Sequence, residues 1–244
     1  MKKYLLEVVV FLCGAIVMIL EIVGARVLAP YLGTSIFVWT SLIGIILGSL
    51  SLGYWWGGKL ADRRPSYRAF ALIIFLSGIF VTLITFSKEI VLLAIQGAIS
   101  DVRMGAAVAT LALFAVPSVL LGMVSPYAVK LRVDDLDKSG ATVGYLYAIS
   151  TIGSIIGTFL AGFVLIAYFG NTRILLVLAI ALVVTSLLAY SAAFSKTRLG
   201  FLALAAASLI LIGRVNLSSV QPPPGFVDVD TQYSRVWIFD KIDE

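Results

Sequence analysis

Long apolar runs recur along this chain, and they limit strongly what it can fold into. Several of them reach or exceed the roughly 20 residues with which an α-helix crosses a bilayer. The 244 residues are 61% apolar and 13% charged, whereas charged residues make up about 25% of an average soluble domain. The sequence therefore predicts an all-α polytopic membrane protein.

The apolar runs predict about seven transmembrane helices. They cover residues 5–28, 36–59, 69–87, 104–128, 143–168, 174–194 and 199–213. The seventh run is short, so we expect it either to span with local thinning of the bilayer or to lie at the interface. Residues 90–100 are too few to cross alone, which predicts an interfacial or re-entrant helix after the third span.

The basic residues predict how these helices are oriented. With a cytoplasmic N-terminus, the cytoplasmic segments carry eleven Lys and Arg residues, and the opposite segments of the first six spans carry four. Cytoplasmic loops of membrane proteins are enriched in these residues. We therefore expect a cell-membrane protein with its N-terminus in the cytoplasm. The side of the C-terminal tail depends on whether the seventh run spans.

The composition excludes several classes of function. The chain has no histidine and a single cysteine, Cys13, so histidine triads and histidine zinc sites are excluded. We predict neither a metal site nor a cofactor. The net charge is +5 because residues 1–213 hold fifteen basic against eight acidic residues, whereas the tail holds three against five. Because that excess lies in the loops between spans, a nucleic-acid surface is not indicated.

Glu21 is the most informative single residue of the predicted spans. It lies about 24 Å from the start of the first helix at 1.5 Å per residue. A carboxylate at that depth is expensive, and it indicates a cavity or a basic partner. Arg26 is the candidate partner, although five residues correspond to about 140° of helical rotation and poor pairing geometry. A cation or proton site and a structural ion pair both remain open.

Small residues recur four apart in two predicted helices. The second span contains Gly44, Gly48, Gly53 and Gly57, and the fifth contains Gly153 and Gly157. Such spacing lets helix backbones approach closely. We expect these glycines to pack helices within the bundle, or to form smooth faces that slide during a transport cycle.

Prolines and aromatic residues leave further alternatives open. Pro117 and Pro126 interrupt the fourth span, where a kink can line a pathway or serve packing alone. Aromatic residues near the span ends, such as Trp39 and Trp55, are typical of a headgroup belt. An aromatic cage for an ammonium ligand is the alternative.

The tail changes character after residue 213. Residues 214–225 contain the run QPPPG and predict an extended proline-rich linker. Residues 226–244 alternate apolar and polar positions, which predicts strands. Such a short segment cannot bury a core alone. We expect it to be the start of a further domain, or a hairpin that pairs with another chain.

The segment GGKLADRRPSYR, residues 57–68, concentrates charge between the second and third spans. It lacks the G-x-x-x-x-G-K-[ST] spacing of a phosphate-binding loop. However, Gly58, Asp62 and Arg63 match the G-x-x-x-D-R core of the loop between helices two and three in major facilitator superfamily transporters. The resemblance implies that Asp62 and Arg63 gate or lock the cytoplasmic side.

A longer resemblance covers roughly residues 5–195. The segments EIVGARVLAPYLGTSIFVWTSLIGI, LSLGYWWGGKLADRRPS and LYAISTIGSIIGTFLAGFVLI resemble the membrane half of fused transporter-like/spermidine synthase proteins. This implies half of a major facilitator plan. A half lacks the second wall of a central cavity, so the resemblance also implies a homodimer or a separate second membrane half.

The tail DTQYSRVWIFD is similar to the start of a spermidine-synthase (aminopropyltransferase) domain. Tyr233 matches a tyrosine of that family, while Ser234 stands where its substrate-contacting glutamine would be. The nucleotide loop and catalytic aspartates of the family would lie beyond residue 244, so we expect no catalytic residues here. The expected function is to anchor a synthase-like domain and to pass a polyamine or related cation across the bilayer. A purely structural anchor, and the membrane part of a polyamine aminopropyltransferase, are the alternatives.

Overall fold

A computed structural model describes residues 3–63, 65–133, 139–190, 226–230 and 235–239. Its helices are α1 (Lys3–Leu32), α2 (Ile36–Arg63), α3 (Tyr67–Ala98), α4 (Val102–Gly122), α5 (Val124–Arg132), α6 (Ser139–Phe159), α7 (Ile166–Tyr168) and α8 (Asn171–Tyr190). A π-helical turn, Leu160–Leu165, joins α6 to α7. The strands β1 (Phe226–Asp230) and β2 (Arg235–Phe239) lie in the tail.

The described part of the chain is a helical membrane protein, with six helices long and apolar enough to cross a bilayer. The fourth span joins α4 to α5, and the fifth joins α6, the π-helical turn and α7. The predicted seventh helix, residues 199–213, lies outside the described residues, as do the linker 214–225 and Tyr233. The structure therefore describes six of the seven predicted spans, and the seventh stays a prediction.

The prediction of a separate helix after the third span was wrong. Helix α3 runs without interruption for 32 residues from Tyr67 to Ala98, or about 48 Å. The two charges that suggested an end, Lys88 and Glu89, do not end the helix. Lys88 is 7% exposed, and its Nζ lies 2.6 Å from the Thr172 hydroxyl of α8. A side-chain partner thus lets the helix continue through a charged position.

Glycines join the spans in parallel pairs. A Cβ added at Gly153 of α6 would collide with the Phe11 carbonyl of α1, and one at Gly157 with the Ala15 carbonyl. Four residues further along α6, the contact on α1 also moves forward by four residues, from Phe11 to Ala15. The two helices therefore run in the same direction. Backbone contact of this kind is possible only where a residue has no side chain.

The second and fourth spans form an equivalent pair. A Cβ at Gly53 would collide with the Val119 carbonyl, and one at Gly57 would lie 2.6 Å from the Met123 Cα. The remaining two spans, α3 and α8, pack antiparallel, since Gly78 lies against Leu182 while Lys88 contacts Thr172. The first span thus pairs with the fifth, the second with the fourth, and the third with the sixth. These pairs stay the same if the first, second and third spans are exchanged with the fourth, fifth and sixth.

The glycine series of α2 divides into two faces. Gly53 and Gly57 pack against the fourth span, whereas nothing lies within 4 Å of a Cβ built at Gly44 or Gly48. The step from Gly48 to Gly53 is five residues, which turns the helix by about 140°. Gly44 and Gly48 therefore face away from the bundle.

The tail forms a two-stranded antiparallel hairpin. Its register pairs Phe226 with Phe239 at one end and Asp230 with Arg235 at the other. An isolated hairpin is at best marginally stable in water. Its stability therefore depends on what packs against it.

Adjacent glycines of α2 should respond oppositely to the same substitution. Gly57→Ala places a Cβ 2.6 Å from the Met123 backbone, and such overpacking costs about 1–3 kcal/mol. Gly58→Ala meets nothing within 4 Å, so higher helix propensity should stabilise it by up to about 1 kcal/mol. Thermal unfolding in detergent, followed by loss of the monodisperse peak, measures both. Equal effects at the two sites would contradict the close pairing.

Candidate functional site: a cavity below Glu21

One face of α1 borders a cavity inside the bundle. Val10, Gly14, Val17 and Glu21 follow one another at intervals of four, three and four residues, which places them on one helical face. The first three line a cavity of about 60 Å³ between α1, α2, the fourth span and α6. Glu21 lies seven residues beyond Gly14 on that face, or about 10 Å further along the helix axis.

The cavity combines apolar walls with hydroxyl groups. The residues that line it are Val10, Cys13, Gly14, Val17, Leu50, Tyr54, Leu121, Val124, Ser125, Ser150 and Ser154. The Ser154 hydroxyl lies 3.1 Å from both the Gly14 and the Ser150 carbonyl. The lining contains no ionised side chain at neutral pH. Two carboxylates lie on this face of α1, each seven residues from Gly14: Glu7, which pairs with Arg132, and Glu21.

Glu21 is half-buried. It has neither an ion pair nor a hydrogen bond with any other residue in the part of the chain that the structure describes. Placing a carboxylate inside a membrane span is costly unless a partner or water compensates its charge. The carboxyl group at this end of the cavity face therefore has no partner among the described residues that would compensate its charge.

Arg26 does not pair with Glu21. Its guanidinium Nη1 donates to the Ile166 carbonyl at 3.2 Å, and its own carbonyl accepts from the Asn171 side chain at 3.2 Å. Ile166 lies in the last turn of the fifth span, where carbonyls lack helical partners and a cation is favoured. Arg26 thus connects α1 with the ends of the fifth and sixth spans.

The fourth span breaks beside the cavity. Pro126 has no N–H to donate to the Gly122 carbonyl, and the helix is interrupted at Met123, whose N–H lies 3.1 Å from the Val119 carbonyl. The other proline, Pro117, lies within α4 without interrupting it. Ser125 lies two residues beyond Met123 and lines the cavity. The interruption of the helix therefore lies next to the residue that supplies a hydroxyl group.

An ion pair joins Asp62, near the end of α2, to the fourth span. Asp62 Oδ1 lies 2.9 Å from Lys130 Nζ, and both side chains are well exposed, at 69% and 47%. Arg63 is the last residue of α2, and Gly58 has open space around it. Asp62 thus has a partner within its own chain, which the sequence did not indicate.

Helix α5 also contacts the first and third spans at this end of the bundle. Arg132 Nη2 lies 3.2 Å from Glu7 Oε1, and these side chains are 20% and 11% exposed. The Tyr127 hydroxyl accepts from the Ser66 N–H at 3.1 Å, and its ring stacks on Phe70 with centroids 5.8 Å apart. We call Tyr127, Lys130 and Arg132 the α5 clasp. From the sequence, Lys130 and Arg132 are predicted only to orient the protein in the membrane.

Two aromatic residues near span ends are covered by cations of the chain itself. Lys59 Nζ lies 3.7 Å from the centroid of Trp55, and the Arg103 guanidinium carbon lies 4.3 Å from that of Phe37. Cations at these distances are attracted to the negative ring face. These rings therefore already have cationic partners.

Sequence reasoning missed the hydroxyl groups of this site. Tyr54 counted as a belt residue, and Ser125, Ser150 and Ser154 were not singled out. A signal did exist, because Ser150 and Ser154 follow the same four-residue spacing as Gly153 and Gly157 on the same helix. The spacing alone does not show which of these positions pack against α1 and which border a cavity. That depends on the neighbouring pair of helices.

Comparison with protein-family models, curated proteins and solved structures gives no match to this chain. Among the described residues, no three Asp, Glu, Cys or His side chains are grouped so that they could hold a metal ion. The geometry around Glu21 and the cavity is therefore the basis for the proposed function.

The two ion pairs of the α5 clasp should contribute differently to stability. Arg132→Met leaves the mostly buried Glu7 without its recorded partner, and breaking a buried pair costs about 3–5 kcal/mol. Lys130→Met removes the exposed pair with Asp62, which is worth about 0–1 kcal/mol. Detergent unfolding curves of the two variants compare the losses directly. A larger loss of stability for Lys130→Met than for Arg132→Met would contradict this ranking of the two ion pairs.

Proposed function

We propose that this chain is a membrane module that binds an organic cation with an ammonium group, a polyamine or a related metabolite, and carries it across the bilayer. In this proposal it also anchors a spermidine-synthase-like domain that begins in the tail. The N-terminus and the α5 clasp face the cytoplasm of a cell membrane. The half-buried, unpaired carboxylate of Glu21 is the observation that carries the proposal.

Charge balance favours a cationic ligand at Glu21. The carboxylate lies on the helical face that borders the cavity, and Arg26 is engaged with the Ile166 carbonyl instead. A bound ammonium group would supply the missing positive charge and a charge-assisted hydrogen bond. Without a ligand, the carboxylate would have to be hydrated or protonated, which costs free energy. A bound ammonium group would remove that cost, and this favours binding.

A second copy, or a second membrane half, completes the transport pathway in this proposal. The second and fifth spans are the least covered by other spans, with 33% and 17% of their apolar windows buried. The open glycine face at Gly44 and Gly48 would accept a close helix from the partner. Asp62 would form the cytoplasmic gate with Arg63, and its pair with Lys130 would have to open before Asp62 contacts the partner.

The tail favours a second candidate, in which the bundle is only an anchor. The hairpin formed by β1 and β2 cannot be stable without further strands or a partner. A synthase-like domain that extends this hairpin would be held at the membrane by the six spans, with or without transport. The membrane part of an aminopropyltransferase, active only together with such a domain, belongs to the same class.

Uptake into proteoliposomes tests the transport proposal. The wild-type chain should accumulate labelled spermidine or putrescine, and Glu21→Gln should reduce uptake about tenfold because it removes one charge-assisted hydrogen bond. Glu89→Gln is the matched control. It makes the same change on α3, at a carboxylate that already has a partner. Its uptake should remain near that of the wild type. If folded wild-type protein accumulates neither amine, the anchor is favoured.

Disulfide cross-linking tests the second copy. In a Cys13→Ser background, Gly48→Cys should form covalent dimers under mild oxidation, because the glycine face lies in the proposed interface. Leu83→Cys is the control, since Leu83 is 52% exposed on α3 and lies at a similar depth, 16 residues from the start of its helix against 15 from the end of α2 for Gly48. Equal cross-linking at both positions would contradict a specific interface on α2.

A further inference from the structure

Three hydroxyl groups on the cavity wall have no hydrogen-bond partner within the described residues. They belong to Tyr54 of α2, Ser125 of α5 and Ser150 of α6. None of their oxygens is among the fully enclosed unpartnered atoms, which are Ser35 Oγ and Asn171 Oδ1. Ser125 and Ser150 are half-buried and Tyr54 is 44% exposed, and the three side chains line the cavity from three different helices.

Other hydroxyls in these spans behave differently. Many donate to the carbonyl four residues earlier in their own helix, among them Ser51, Thr82, Thr85, Thr110, Thr151, Thr158 and Thr185. That bond is the ordinary way to satisfy a hydroxyl where water is scarce. Three groups that forgo it and border one cavity are available for whatever the cavity holds.

The size and charge of the cavity limit what can enter. Its volume of about 60 Å³ corresponds to the share of about two water molecules in the liquid, so it can take one end of a metabolite. No side chain that lines it carries a charge to balance an ion. Burying a second charge there without a partner would be costly. The group that fits is neutral and forms hydrogen bonds.

We propose that the cavity is a subsite for the neutral polar end of an elongated amine whose ammonium group lies at Glu21. The two positions share one face of α1, separated by seven residues, or about 10 Å. A hydroxyl or amide would bond with Tyr54, Ser125 and Ser150, while the aliphatic chain would contact Val17. This inference rests on the proposed function. Among the ligands proposed there, it favours a related metabolite with one ammonium group and a neutral distal end over a polyamine, whose second ammonium group would gain nothing from the cavity.

Binding of three linear probes to the full chain in lipid nanodiscs tests this subsite. Aminooctanol, octylamine and diaminooctane share one chain length and one ammonium group, and they differ at the other end. Aminooctanol should bind about tenfold more tightly than octylamine, as expected for the added hydrogen bonds. Diaminooctane should bind no more tightly than octylamine, because its second ammonium group finds no counter-charge in the cavity.

Variants identify which hydroxyls are responsible. Ser125→Ala, Ser150→Ala and Tyr54→Phe should each weaken aminooctanol binding about five- to tenfold and leave octylamine binding unchanged. Unchanged octylamine binding also shows that each variant is folded. Thr151→Ala is the matched control, because Thr151 adjoins Ser150 but donates to the Tyr147 carbonyl. It should bind both probes like the wild type.

The outcomes separate this inference from the proposed function. If octylamine and aminooctanol bind equally and both depend on Glu21, the cavity holds only water and the subsite is overturned, while the cation site stands. If Glu21→Gln changes the affinity for none of the probes, the cation site itself fails and the subsite fails with it. Tighter binding of diaminooctane than of aminooctanol would also overturn the proposal that the cavity binds a neutral end.

Discussion

Direct backbone contact between paired helices is the constraint on which the rest of this structure depends. Gly153 and Gly157 bring α6 against α1, and Gly53 and Gly57 bring α2 against the fourth span. Between helices in lipid no hydrophobic driving force acts, so close packing and interhelical hydrogen bonds must supply the attraction. A single methyl group at these glycines would therefore push the paired helices apart.

The cavity lies where the two glycine-dependent pairs meet. Gly14, Ser150 and Ser154 belong to one pair, and Leu50, Tyr54 and Ser125 belong to the other. Its shape therefore depends on how closely each pair packs internally, and on the break that Pro126 introduces into the fourth span. At the basic end, the α5 clasp joins the fourth span to the first three. Both the cavity and the clasp thus depend on the same interrupted span.

Periodicity and hydropathy predicted the six described spans because the bilayer imposes a length and an apolar composition on every crossing helix. They were wrong at the end of α3, where Lys88 and Glu89 suggested a boundary. A charged residue ends a span only if nothing inside the bundle can hydrogen-bond to its side chain. Lys88 donates to the Thr172 hydroxyl, which is 84 residues away in the sequence. Glu21 was recognisable as unusual from its depth alone, but the engagement of Arg26 elsewhere was not.

The sequence by itself determined that this is a helical membrane protein, which charges lie deep in its spans, and where glycine and proline interrupt the apolar pattern. Only the tertiary structure decided which face each glycine presents to a neighbour and that Asp62 pairs with Lys130. It also decided that one cavity is bordered by three hydroxyls that have no partner among the described residues. The physical reason is that hydropathy acts on each helix separately. Close packing and hydrogen bonding, by contrast, are properties of helix pairs whose members lie far apart in the chain.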